Sequence, residues 1–309
     1  MNGTDFFHNS FFAMGTRCDV VFTHVEKEFA EQVFFIIKNE IIHLEHQLSR
    51  FIPQSPVSVL NQTAKNVWVQ VSDDLWDVLT ICYDFWQMSN GAFDITAAPL
   101  ISLWKNQPEN QKISEEDIQK AKNISGFCKV EFDFENKKIK FSVDGVEFDF
   151  GAVGKGIALD TIKPVLQKQG IKNAVVSFGE SSILALGNHP NGKNWPLGIR
   201  NPYRANEFIH VFNTSGETVT TSGTIVTTDE GGVKQRTHVI SPVTGLPVDG
   251  CRTISVKSQS ATLGEFLSTT WLILPENDKI VLSEKLKKVE ILEVNYLDNQ
   301  NFETKLTIV

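Results

Sequence analysis

Residues 129–170 read KVEFDFENKKIKFSVDGVEFDFGAVGKGIALDTIKPVLQKQG. Three short runs, KVEFDF, KIKFSV and VEFDFG, alternate apolar and polar residues as half-buried strands do, and Asn136-Lys137 and Asp144-Gly145 stand where hairpin turns belong. After Gly154 the pattern becomes helical: the helix carries Ile157, Ile162, Val165 and Leu166, ends near Gly170, and has Pro164 inside it as a source of a kink. The stretch predicts strands delivered through a glycine-rich turn into a helix.

Upstream, FFAMGTRCDVVFT (11–23) reads as two short strands around Gly15. Lys27 to Leu48 is a strong amphipathic helix, with Phe29, Val33, Ile37, Ile41, Leu44 and Leu48 at helical spacing. Asp73 to Met88 is a second helix, stopped by Ser89-Asn90-Gly91, and Ser114 opens a short polar one with Glu116 and Asp117 near its positive end. Downstream come a strand over 173–178, further strands to about Ile254, a helix from about Ser260 to Leu274 and a helix–strand tail. Helices and strands in segregated runs predict an α+β fold rather than a doubly wound parallel sheet.

The chain has 309 residues, enough for two domains or one large one, but no linker, repeat or low-complexity tract divides it. We expect one domain over 1–309, built of two interleaved halves. With 41% hydrophobic and 21% charged residues, disorder is excluded. The net charge of −8 argues against a nucleic-acid grip. No run of eighteen apolar residues exists, so no transmembrane helix is expected. Cys18, Cys82, Cys128 and Cys251 are dispersed without a CxxC pair, which disfavours structural zinc and a disulfide scaffold. MNGTDFFHNSFF has no basic start and no adequate apolar region, so a cytoplasmic location is expected, with an exported, trimmed form as the alternative.

Five features carry chemistry. DFGAVGKG (149–156) lies between a strand and a helix, where free N–H groups and the helix dipole favour phosphate and Lys155 adds a point charge. It is not a Walker loop, because 149 is Asp and 156 is Gly, and its GxxGxG order is not that of a dinucleotide fingerprint. A tight turn without a ligand remains open for it. Asp94 in GAFD reads as a turn residue or a ligand, Ser222-Gly223 as an anion nest or a β-turn, and His238 as a structural histidine or a base. Glu265, Ser268 and Thr269 share one helix face at i, i+3 and i+4, and their hard oxygens suit Mg²⁺ or Ca²⁺ if they are not simply a polar face.

Eight segments in order resemble the FAD:protein FMN transferase (ApbE-type) family: AMGT at 13–16, LSRFIPQSPVSVLN at 48–61, SNGAFDITAAPL at 89–100, FDFGAVGKGIALD at 148–160, NAVVSFGESSILALG at 173–187, TSG at 221–223, HVISPVTGLPV at 238–248 and ATLGEFLSTT at 261–270. The resemblance implies an ApbE-like α+β fold with mostly antiparallel sheets around a central flavin cleft. It also implies Mg²⁺-dependent transfer of the FMN half of FAD to a Thr or Ser hydroxyl of an acceptor flavoprotein, with release of AMP. Met14, Phe51, Ala92, Phe93, Asp94, Asp149, Lys155 and Ile240 match flavin- or adenine-contacting positions. Ala152, through its carbonyl, and Glu265 and Thr269 match metal ligands, with Ser268 close by, and His238 matches the position nominated as base. The chain departs from the family pattern at Glu265, where Asp is usual, at Glu180, where a second glycine is usual, and at Ser241, which stands for Asp. Two competing expectations follow: hydrolysis of FAD to FMN and AMP with water as nucleophile, and a flavin-binding protein without turnover.

Overall fold

The computed structural model describes residues 6–106, 112–227, 233–235 and 239–309. Its strands are β1 (Phe6–Ala13), β2 (Thr16–Thr23), β3 (Val69–Gln70), β4 (Val130–Asp133), β5 (Lys138–Phe141), β6 (Ala174–Phe178), β7 (Ser182–Leu186), β8 (Trp195–Asn201), β9 (Arg204–Thr214), β10 (Glu217–Gly223), β11 (Ile225–Thr227), β12 (Val233–Gln235), β13 (Arg252–Ser258), β14 (Glu290–Tyr296) and β15 (Phe302–Ile308). The helices are α1 (Lys27–Leu48), α2 (Pro56–Thr63), α3 (Asp73–Met88), α4 (Ala98–Lys105), α5 (Glu115–Asn123), α6 (Gly154–Lys168), α7 (Ala261–Ile273) and α8 (Glu276–Ser283).

Eight strands form the main sheet in the order β1-β2-β6-β7-β10-β13-β14-β15, and every neighbouring pair in it is antiparallel. Smaller sheets are β3-β5-β4, β8-β9 and β11-β12. The fold is α+β, as expected.

Helix α1 takes the bounds its periodicity predicts and buries Val33, Ile37, Ile41 and Leu48, although Phe29 is partly exposed. Helix α6 packs between α1 and α7, and α7 lies on β10 and β13. Because α7 is covered from several sides, even Glu265 and Ser268 on it are buried, as expected of a helix enclosed by neighbours rather than resting on a surface. Asp160 of α6 locks that packing. Its carboxylate accepts from the Ser260 hydroxyl (2.6 Å) and from the Ala261 and Thr262 N–H groups (2.8 and 2.9 Å), so one helix supplies the N-terminal cap of the other.

Two sequence expectations need correction. VEFDFG is not a strand. Residues 146–150 carry no assigned secondary structure and pair with no strand among the described residues: Phe148 exchanges two hydrogen bonds with the Asn61 side chain (2.9 and 3.1 Å), and Asp149 N–H donates to the Ile95 carbonyl (2.7 Å). The alternation was real, since Val146, Phe148 and Phe150 are buried, yet side-chain and loop partners replace the ladder. Ser222-Gly223 is neither nest nor turn: both residues lie in β10 and pair with Ile254 and Thr253 of β13.

Candidate active site

The β1–β2 hairpin turns through Met14 and Gly15, both at positive φ (53° and 71°). Left-handed backbone is costly for methionine, and here the Met14 N–H is held by Glu45 Oε1 of α1 at 2.7 Å. Met14 Sδ would lie 3.9 Å from a Cβ at Gly154, so the hairpin turn reaches the first residue of α6. Below it, α1 ends and the chain passes through Ser49, Arg50 and Phe51. Arg50 Nε donates to Asp149 Oδ2 (2.8 Å) and Nη1 to Glu147 (3.1 Å), while its guanidinium lies 4.6 Å from the centre of the Phe51 ring. Phe51 is 73% exposed at the mouth of a cleft.

Met14, Gly15, Glu45, Arg50, Phe51, Asp149, Gly151, Gly154 and Lys155 line one cleft of about 190 Å³. Ligand sites usually enclose roughly 300–1,000 Å³. The enclosed part therefore suits a portion of a dinucleotide, with the remainder over the open rim.

Lys155 joins this cleft to α7. Its ammonium lies 3.0 Å from Glu265 Oε1 and 3.3 Å from Oε2. Ser182 of β7 donates its hydroxyl proton to the same Oε1. A Cβ at Gly156 would stand 2.6 Å from the Ala261 carbonyl and 2.9 Å from Glu265 Cγ, so only glycine lets the two helices approach this closely. One turn further along α7, Ser268 Oγ and Thr269 Oγ1 lie 2.8 and 3.3 Å from Ser222 Oγ of β10. Ser182 and Ser222 were not singled out as part of this cluster in the sequence; their places follow from which strands lie beneath α7.

Other nominated residues sit elsewhere. Ala92 and Phe93 are buried, with Phe93 edge-on to Phe85 and Phe266 in the core. The Asp94 carboxylate is engaged by Thr96 N–H (2.8 Å), Thr96 hydroxyl (2.6 Å) and Phe127 N–H (3.0 Å). Burial is the larger influence on it and pushes its pKa up, against those donors and Lys129. Ile240 is buried with Leu100 and Ala121 beneath α4 and α5. His238 lies outside the described residues.

Glu265, Ser268 and Thr269, with Ser222 beside them, offer hard oxygen donors only, while Ala152 lies in the exposed turn ahead of α6. Among the described residues, no group of three His, Cys, Asp or Glu side chains forms a metal cage. This donor set fits a hard divalent cation that keeps some of its water, and does not fit zinc.

Residues 14–292 match the model of the ApbE family. An FAD:protein FMN transferase of Klebsiella pneumoniae (strain 342) is 27% identical over 241 residues, spanning 76% of this chain and 69% of that protein. One from Haemophilus influenzae is 27% identical over 267 residues, spanning 82% and 75%. The structure of the flavin transferase ApbE from Vibrio cholerae superposes with a TM-score of 0.84 at 21% identity, covering 98% of this chain and 97% of that one. The ApbE protein of Thermotoga maritima gives 0.82 at 24% identity, covering 97% and 96%.

Proposed function

The chain belongs to the ApbE family, and from that membership we infer that it is an FAD:protein FMN transferase. We propose further that the acceptor group is a Thr or Ser hydroxyl and that the reaction depends on Mg²⁺. The observation that carries the assignment of the site is the Lys155–Glu265 contact. It joins the 149–156 turn, suited to phosphate, to the oxygen-rich face of α7.

In this reading the FAD diphosphate rests at the N-terminus of α6, where the free N–H groups and Lys155 offset its charge. Phe51 offers an aromatic face at the cleft mouth, and Arg50, tied to Asp149 and Glu147, keeps that face in place. Ala152, Glu265 and Thr269, with Ser268 close by, would hold Mg²⁺; when bound, the ion supplies charge neutralisation at the diphosphate. His238 is the base nominated for the acceptor hydroxyl. In that role a neutral imidazole nitrogen takes the hydroxyl proton. The acceptor oxygen bonds to the phosphorus of the FMN half, the bridging P–O bond breaks, and AMP departs with the bridging oxygen.

Incubation with FAD, Mg²⁺ and an acceptor flavoprotein should leave the acceptor fluorescent in a denaturing gel, with AMP released in equal amount. His238→Ala should abolish labelling while FAD still binds. Release of FMN and AMP without an acceptor would identify water as the nucleophile instead, and bound but unchanged FAD would leave a binding protein only.

A further inference from the structure

Glu265 is 4% exposed, and a buried carboxylate stays ionised only with a countercharge or strong donors beside it. This chain supplies both, from groups of different character. Ser182 is fully buried on β7, in the middle of the main sheet, and its single hydroxyl proton goes to Glu265 Oε1. Lys155 stands on a flexible four-carbon stem, keeps 21% of its side chain exposed and also lines the cleft. One partner is fixed; the other is free to leave.

We propose that Lys155 is the resident counter-ion of Glu265, displaced when a divalent cation reaches α7, and that Ser182 is the positioning residue that stays behind. The displaced ammonium moves into the cleft toward the diphosphate. Ser182 keeps Oε1 turned to the sheet, so Oε2 meets the arriving ion. This inference rests on the reading of α7 as a divalent-cation site. It ties the two ligands together: the metal frees the lysine that the dinucleotide needs, and the coupling is reciprocal.

The test titrates Mn²⁺ alone into the protein by calorimetry at pH 8, without FAD. Lys155→Met keeps the stem and removes the competing charge, so it should bind Mn²⁺ on the order of tenfold more tightly than wild type. Ser182→Ala should bind it on the order of tenfold more weakly. Equal or weaker binding by Lys155→Met overturns the proposal, as does unaltered binding by Ser182→Ala. A second measurement needs no variant: wild type is acetylated with an amine reagent with and without Mg²⁺, and modification at each lysine is read by mass spectrometry. Mg²⁺ should raise modification of Lys155 several-fold relative to the other lysines, and no rise overturns the proposal. A protein that transfers FMN yet fails these tests loses only the counter-ion role. One that binds no divalent ion and transfers no FMN loses the functional reading as well.

Discussion

Asp94, expected from the family resemblance to contact the flavin or adenine, is in this structure a residue that the fold itself uses. Its two oxygens accept three hydrogen bonds that tie residues 94–96 to Phe127, and Asp149 N–H bonds Ile95 in the same loop. Asp94→Asn replaces one acceptor oxygen with a donor and sets it against an N–H, at a cost of about 1–3 kcal/mol. The pH dependence has a definite sign. Burial raises the Asp94 pKa in the folded state, so its contribution to stability is full below the unfolded value of about 4 and is lost as pH rises through the higher native value. Urea unfolding across the acid range checks this. The stability of wild type minus that of the non-titrating Asn variant should fall as pH rises, and a difference that grows would mean the native loop prefers the carboxylate.

At the scale of elements, the decisive joint is the cap that α6 gives to α7. Asp160 accepts from Ser260, Ala261 and Thr262, and Ser260 Oγ also accepts the Leu263 N–H at 3.2 Å. Glu265 follows one turn later, so the joint also sets where the carboxylate meets Lys155. Asp160→Ala should cost about 2 kcal/mol by urea denaturation, and FMN transfer should fall with it even where the protein stays folded. Asp160→Asn keeps one acceptor oxygen and should lose less on both measures; equal loss by the two variants would mean the cap does not set the site. Elements of this kind were partly legible. The bounds of α1 and α3 agree with their periodicity, and the oxygen face of α7 was readable because i, i+3 and i+4 need no partner to define them. Helices α2 and α4 did not emerge, although Ser55-Pro56 is a cap followed by proline at the first helical position. The strand misread at 146–150 shares its alternation with real strands, and only a partner distinguishes them. Ser182 and Ser222 were unreadable for the same reason: their roles exist only once β7 and β10 lie under α7.

Across the whole molecule, the main sheet places the site at its middle and leaves its margins to stability. Ser182 and Ser222 are on adjacent strands β7 and β10, while β15 lies beyond β13 and β14 at one edge, past the span that matches the family. That edge strand pairs with β14 along its length, Val289 and Val309 exchange hydrogen bonds at 2.8 and 2.9 Å, and Lys305 pairs with Glu276. A chain ending at Asp298 loses all of these and uncovers β14, whose Ile291, Leu292 and Val294 are buried. It should melt at lower temperature and self-associate on warming, because an exposed apolar strand edge is a template for pairing with another copy. At a temperature where near-ultraviolet circular dichroism still reports native packing, its FMN transfer per folded molecule should equal that of the full chain. A folded but inactive truncated chain would mean that the far edge reaches the site, through β13 and α7 or through the acceptor protein, and the separation of chemistry from margin would be wrong.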